Sequence, residues 1–288
     1  MQRYFIPLVR SLILIILYQV KLPTHKIKIN RIPQNTNPLK ISNFILKVRF
    51  ESVSLTLKKL CINTLIIMGL NAPLGGQNIQ LSAPRELQIG GSLLLFTGVN
   101  LYLTQHYPTP SQTWEVGGLD KLNRSSYDVG NAKLSDLSFL GTAATSFLVG
   151  IALPKEQRLN YGIIAAQNVW IAGNLVQVTK VISGRNRPYV QGTGWISQEG
   201  KDNSYSFFSG HSAIASSMAT TALVATYKNQ NPSGFSWGKA TALTAGALAI
   251  TTGVLRIAAG KHYPSDVLVG LAVGAGVSLL NMAIHENR

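Results

Sequence analysis

Six apolar stretches dominate the chain after residue 86, and polar or charged residues separate them. They cover residues 87–114, 137–154, 159–179, 212–227, 240–255 and 267–284. No long alternation of apolar and polar residues, the pattern that indicates a half-buried β-strand, accompanies them. We therefore predict an all-α fold: a helical bundle of about six mostly apolar helices.

Several of these stretches are about as long as the ~20 residues that cross a bilayer. Their Gly, Ala, Ser and Thr residues allow helices to pack closely, as in membrane bundles. Four polar side chains of the third stretch should face the bundle interior, because lipid offers them no partner: Gln167, Asn168, Asn174 and Gln177. The pattern favours a transmembrane bundle over a soluble one with Ala-rich core helices.

The first 80 residues differ from the rest, and we predict two regions, 1–80 and 81–288. Residues 1–80 form a basic N-terminal extension. Within it, residues 58–74 hold two lysines, an apolar run and then Asn71-Ala72-Pro73, the layout of a secretory signal. A short membrane anchor is the alternative. The inward position of the segment would also fit a translation start near Ser52.

The net charge of +15 at first suggests a nucleic-acid partner. Residues 1–60, however, hold eleven Lys and Arg against the single acid Glu51, so most of the excess lies in the extension. No basic and aromatic pattern follows it, and we expect no nucleic-acid binding by the main region. Cys61 is the only cysteine, which excludes a disulfide framework and a thiolate zinc site.

Three polar clusters stand at the ends of the apolar stretches, where charged residues are otherwise scarce. In chain order they are Lys180 with Arg187-Pro188, Ser209-Gly210-His211, and Arg256 with His262 and Asp266. If the last four stretches cross the bundle in sequence, all three clusters fall on the same side. Cations and histidines that meet beside apolar helices predict a site for an anion.

The cations of these clusters are suited to phosphate. The guanidinium forks of Arg187 and Arg256 match tetrahedral oxyanions, and Lys180 adds a point charge. Ser209 and Gly210 directly precede a predicted helix, whose positive end, hydroxyl and backbone N–H groups favour an anion. We predict that these five residues bind phosphate.

The histidines and the carboxylate provide reactive groups. Asp266 can accept a hydrogen bond from one imidazole nitrogen of His262, which leaves the other nitrogen free to attack phosphorus. His211 is the candidate acid for the leaving oxygen and, later, the candidate base for water. The predicted chemistry is therefore phosphoryl transfer.

These residues resemble the type 2 phosphatidic acid phosphatase and vanadium haloperoxidase superfamily, in particular its membrane lipid phosphatases. The signature is Lys, six residues, Arg-Pro; then Pro-Ser-Gly-His; then Ser-Arg, five residues, His, three residues, Asp. The chain matches it over residues 180–266. It departs at Phe208, where Pro is usual, and at Leu255, where Ser is usual, but keeps every residue with a chemical role.

The resemblance implies a phosphoric ester hydrolase in which His262 forms a phosphohistidine, Asp266 supports it and His211 acts as acid and base. It implies no cofactor and no metal, and we find no clustered carboxylates suited to magnesium or zinc. Three acids spaced by eight residues are expected to solvate a loop: Asp120, Asp128 and Asp136.

Three functions stay open. The leading hypothesis is a membrane phosphatase that acts on a lipid phosphate monoester or an isoprenoid diphosphate. The short loops at 155–160 and 228–239 carry four Lys and Arg, so the positive-inside rule places its active site toward the periplasm or the cell exterior. The second is a secreted, periplasmic, soluble acid phosphatase of broad specificity with the same site. The third is a vanadium-dependent haloperoxidase.

Overall fold

The computed structural model describes residues 80–106, 117–122, 126–193, 200–228 and 237–286. Within these ranges the chain forms helices and no β-strand. The α-helices are α1 Ala83–His106, α2 Val129–Ala152, α3 Lys155–Ser183, α4 Pro188–Thr193, α5 Gly210–Lys228, α6 Trp237–Ala258 and α7 Pro264–Ile284. Two 3₁₀ segments, Gly118–Leu122 and Gly200–Ser204, lie between them.

The all-α prediction is confirmed, and a long helix lies on the described part of each of the six predicted stretches. The first helix is described from Ala83 to His106, and residues 107–114 of the first stretch lie outside the described residues. One boundary differs from the sequence-based expectation. Residues 155–160, expected to form a loop, are instead the first turns of α3. Only Pro154 lies between the C-cap residue of α2 and the first residue of α3. The signal-like segment at 58–74 lies outside the described residues.

Several helix ends are fixed by residues that the sequence marks clearly. The side chain of Asp128 accepts from the backbone N–H of Asn131 and caps α2. Gly184 ends α3 in the left-handed region, with φ of 51°, which a residue without Cβ adopts easily. Pro264 is the first residue of α7, where its missing N–H leaves no bond unmade.

The long helices alternate in direction, so that α3 and α6 end where α5 and α7 begin. Backbone hydrogen bonds join the loops at this end: Tyr189 N donates to Gly260 O at 3.3 Å, and Ser209 N donates to Asp266 O at 3.0 Å. The three polar clusters of the sequence therefore lie at one end of the bundle. We call it the loop end.

Glycines allow α7 to pack directly on α5. A Cβ added to Gly270 would lie 2.6 Å from the carbonyl oxygen of Ser209, and one added to Gly274 would lie 1.9 Å from that of Ala213. Both distances are below any real contact, so only glycine permits this backbone approach. Because Ser209 and Asp266 are carried by these two helix starts, the close packing also sets the spacing of the site.

Polar side chains of α3 face the bundle interior, as predicted. Gln167 donates to Glu86 on α1 at 2.6 Å, and Asn168 donates to Thr221 on α5 at 2.8 Å. Asn174 and Gln177 contact Thr97 and Thr104 of α1, respectively. Lipid could not supply these partners, so the contacts tie α3 to its neighbours.

Four helices are long and apolar enough to cross a membrane: Ala83–Gln105, Val129–Ala152, Trp237–Ala258 and Pro264–Ile284. Helices α3 and α5 are not among them. Large apolar side chains of the candidate spans point outward, including Leu94, Leu95 and Phe147, which are 62%, 76% and 68% exposed. The architecture is therefore compatible with a membrane protein.

Candidate active site

The eight residues predicted to form the site all lie at the loop end. Lys180 is in the last turn of α3 and Arg256 is in the last turn of α6. The others occupy loops or first helical turns: Arg187, Ser209, Gly210, His211, His262 and Asp266. Because each sits where a helix starts or stops, the alternation of the helices brings them together.

His262 is held in one tautomer by a backbone carbonyl. Its Nδ1 lies 2.7 Å from the carbonyl oxygen of Ser206, which can only accept, so Nδ1 carries the proton. Its Nε2 therefore has the free electron pair and lies 3.4 Å from Nη1 of Arg187. The side chain is 1% exposed. The arrangement presents Nε2 as a fixed nucleophile beside a cation.

Asp266 supports His262 differently from the sequence-based expectation. Its Oδ2 is 3.7 Å from Nδ1 of His262, too far for the predicted hydrogen bond. The same oxygen instead accepts from Ser206 Oγ at 2.5 Å and from the backbone N–H of Tyr263 at 2.9 Å. Asp266 thus fixes Ser206 and the start of α7, and these two in turn position the imidazole.

Arg185 binds two buried carboxylates with the two ends of its guanidinium. Nη2 donates to Asp120 at 2.7 Å, while Nη1 donates to Asp266 and, at 2.9 Å, to the hydroxyl of Ser265. The guanidinium also lies 3.9 Å from the centre of the Tyr263 ring. Since Arg185 is 2% exposed, its charge and that of Asp266 depend on this pairing.

Arg187 is oriented by the loop that carries Asp202. Its Nε donates to the backbone oxygen of Asp202 at 2.7 Å, and its Nη2 donates to the carboxylate at 2.6 Å. Nη1 donates to the carbonyl of Lys261 at 3.0 Å, next to His262. These bonds fix the planar guanidinium in one orientation, with Nη1 next to His262.

Lys180 and Arg256 keep side-chain donors that no group among the described residues uses. The ammonium of Lys180 forms no hydrogen bond with the described part of the chain, and its Nζ would lie 3.8 Å from a Cβ placed on Gly210. Nη1 of Arg256 donates to Ser135 Oγ and to Asp136, both at 3.1 Å. Its Nε is buried and has no partner among the described residues. These donors are suited to an anion.

His211 stands in the first turn of α5, with an aromatic ring on one side and a carboxylate on the other. Its ring centre is 5.0 Å from that of Phe139. Its Nε2 lies 3.1 Å from Oδ1 of Asp136. The imidazole is about one-third exposed, so a proton can reach it from water.

Ser209 and Gly210 form the start of α5. Ser209 is fully buried, and its Oγ accepts from the hydroxyl of Ser212 at 2.9 Å. Its N–H is taken by the carbonyl of Asp266. Ser209 therefore caps the helix, and Gly210 is the residue that faces Lys180.

The surroundings make the charged form of both histidines unfavourable. Burial, followed by Arg187 and Arg256, lowers the pKa of His262 well below its ordinary value. Burial and Arg256 also lower the pKa of His211, to about 4, while Asp136 acts in the opposite direction. Burial and then Arg256 lower the pKa of Lys261. The site is a concentration of positive charge.

Sequence reasoning missed several residues that organise this site: Asp120, Asp136, Arg185, Asp202 and Ser206. Two of the three acids expected to solvate a loop contact it, because Asp120 binds Arg185 and Asp136 contacts His211 and Arg256. The third, Asp128, caps α2. That expectation is therefore wrong. The sequence offered one signal for these charged residues: charged residues are scarce near the ends of the apolar helices, so those present there are candidates for the site.

Comparison with known families agrees with the geometry. Residues 159–288 match the model of the PAP2 superfamily. The match agrees with the resemblance that the motifs predicted, which is thereby confirmed for this part of the chain, and members of that superfamily are phosphatases. Helices α1 and α2, with Asp120 and Asp136, precede the matched range. Neither a curated protein nor a solved structure matches the chain.

Proposed function

We propose that the protein is an integral membrane phosphatase that releases phosphate from a lipid phosphate monoester or diphosphate through a phosphohistidine on His262. The observation that carries this proposal is the state of His262: its Nδ1 donates to Ser206 O at 2.7 Å and its Nε2 lies 3.4 Å from Arg187. A neutral imidazole with its electron pair beside cations is prepared to attack a phosphate.

The phosphate would lie between Lys180, Arg187 and Arg256. Within the described part of the chain nothing accepts from the ammonium of Lys180, and Arg256 has a buried Nε that an oxygen of the phosphate would satisfy. The first N–H groups of α5 add a positive helix end near Gly210. Cations aimed at the equatorial oxygens stabilise the charge of the transition state, which is the main contribution in phosphoryl transfer.

The reaction would proceed in two displacements. Nε2 of His262 forms a bond to phosphorus while the bond to the leaving oxygen breaks, and protonated His211 gives its proton to that oxygen. Neutral His211 then takes a proton from water, and the resulting hydroxide attacks phosphorus. The P–N bond breaks, its electron pair returns to Nε2, and phosphate leaves. His211 ends protonated, so the cycle is closed.

The outward faces of the candidate spans support a membrane location. Exposed leucines on α1 and α2, such as Leu95 and Leu137 at 76% and 65%, are unfavourable in water and favourable in lipid. The site lies at one end of these apolar helices, where a lipid head group would meet it. Four cations lie at the opposite end: Lys155, Arg158, Lys228 and Lys239. By the positive-inside rule they support a site on the non-cytoplasmic side.

The location and the substrate class can be tested together. Membranes from expressing cells would be washed with alkaline carbonate, and phosphate release from a dispersed lipid phosphate would be compared with release from p-nitrophenyl phosphate. We expect the activity to stay in the membrane pellet and to favour the lipid. Activity in the soluble fraction with no preference for lipid would instead support a secreted acid phosphatase.

A further inference from the structure

Asp136, in the second turn of α2, makes two contacts that a solvated surface acid would not make. One carboxylate oxygen lies 3.1 Å from Nε2 of His211 and 3.1 Å from Nη1 of Arg256. His211 and Arg256 come from different helices, so the carboxylate bridges α5 and α6. At the same time Asp136 is 54% exposed, and it can move without leaving a cavity.

The two groups that Asp136 joins have different roles in the proposed reaction. Arg256 would hold the phosphate, and His211 would give a proton to the leaving oxygen. A carboxylate between them neutralises part of the charge of Arg256, while it favours the protonated form of His211. These two effects have opposite consequences, because the first weakens phosphate binding and the second supports acid catalysis.

Other groups around His211 all act against its protonation. Arg256, Lys180 and Lys261 are the cations that lower its pKa, and buried His262 would be a further positive charge if protonated. Phe139 supplies an apolar face at 5.0 Å. Among the described neighbours that act on His211, Asp136 is the negative one.

We propose that Asp136 is a positioning residue that keeps His211 in the orientation and charge state of the acid, at the expense of phosphate affinity. The proposal rests on the proposed function of His211. It assigns a role to α2, which precedes the range matched by the superfamily model. Ser135 holds Nη1 of Arg256 independently at 3.1 Å, so removal of the Asp136 charge should leave Arg256 in place.

The test is Asp136→Asn, which keeps the shape of the side chain and removes its charge. Asp128→Asn is the matched control: it removes a carboxylate from the start of the same helix, and Asn caps a helix as well as Asp does. Asp136→Glu keeps the charge. For each protein, kcat/KM on an alkyl phosphate would be measured against pH, together with inhibition by orthovanadate.

Asp136→Asn should shift the alkaline limb of kcat/KM to lower pH by about one unit, because His211 loses its proton more easily. The titration of the substrate is the same in every variant and does not contribute to the difference. The inhibition constant of orthovanadate should fall about fivefold, the effect of one unit charge at contact distance in an exposed site. Asp136→Glu should restore the limb in part, and Asp128→Asn should resemble the wild type.

An unchanged alkaline limb in Asp136→Asn, with normal vanadate inhibition to show a folded site, would overturn the proposal. Parallel loss of turnover and vanadate binding would do so too, since it would indicate a purely structural role. His262→Ala is assayed alongside. If that variant turns over normally, the proposed function itself fails, whereas an inactive His262→Ala with an unshifted Asp136→Asn refutes this inference alone.

Discussion

Arg185 provides a quantitative test of how the site is held together, because it contacts no expected substrate atom. It connects the buried carboxylates of Asp120 and Asp266 from the two ends of one planar group. Arg185→Met would keep the apolar stem of the side chain and remove the charge. Arg185→Lys would keep the charge, but a single ammonium cannot reproduce the two-ended fork.

The magnitude follows from burial. Asp266 is fully buried and Arg185 is 2% exposed, so Arg185→Met leaves a carboxylate without its partner. Removing one partner of a buried pair costs about 3–5 kcal/mol. Arg185→Lys loses about one charge-assisted hydrogen bond, worth roughly 1.5–3 kcal/mol. At about 2–4 °C per kcal/mol, Arg185→Met should lower the melting temperature by about 10 °C and Arg185→Lys by about half of that.

Activity should fall along with stability, since Asp266 positions Ser206 and Ser206 positions His262. A displacement of the nucleophile by about 1 Å can reduce turnover roughly 100-fold. The assay is a thermal melt in detergent, followed by kcat at a temperature where every variant is folded. Arg158→Met is the control, because Arg158 is exposed and donates to the carbonyl of Leu153 at the opposite end of the bundle.

The reasoning would be refuted if Arg185→Met melted within about 2 °C of Arg158→Met, less than 1 kcal/mol for a chain of this size. It would also be refuted if Arg185→Lys were equivalent to the wild type in both stability and turnover. Either result would mean that the charge of Asp266 does not depend on the paired guanidinium.

Three further predictions concern the chemistry. His211→Ala should lose about 100-fold or more in the burst of phosphorylation on an alkyl phosphate, but less on p-nitrophenyl phosphate, whose leaving group needs little protonation; equal losses in rapid-mixing experiments would exclude His211 as the acid. Activity should survive EDTA and be inhibited by orthovanadate, since the site presents cations to its ligand; loss in EDTA that magnesium restores would indicate another kind of phosphatase. Because the active form of His262 is neutral and its pKa lies well below 6.5, His262 should contribute no acid limb to kcat/KM near pH 6.5; an acid limb there that moves to higher pH in Arg187→Gln would belong to His262 and contradict the assignment, whereas the limb of the substrate phosphate is the same in both proteins.

The sequence was sufficient to predict the helices and the meeting of the three clusters. Long apolar stretches without charges specify buried or lipid-facing helices, and alternation of their direction brings Lys180, Arg256 and His262 to one end. The membrane-spanning candidates were harder to delimit. Helices α3 and α5 resemble the others in sequence, but their polar residues bind inside the bundle, and only the packing reveals this.

The supporting residues could not be predicted, for physical reasons that differ from one to the next. The partner of His262 Nδ1 is the backbone carbonyl of Ser206. Any residue at that position has such a carbonyl, so the residue type gives no indication of the contact. Asp136 and Asp120 are acids near helix ends, where solvated carboxylates are common, and their partners are distant in sequence. The pairing of Arg185 with two carboxylates depends on the close approach of three segments: the 3₁₀ segment Gly118–Leu122, the residues after α3 and the start of α7.

The most direct test of the central claim is the detection of phosphate on His262 during turnover. Enzyme mixed with ³²P-labelled substrate would be denatured rapidly in alkaline detergent, in which phosphohistidine survives, and the labelled protein would then be exposed to acid. We expect label on the wild type that acid removes, and none on His262→Ala, which should also release no phosphate. Acid-stable label, or label and normal turnover in His262→Ala, would contradict the account.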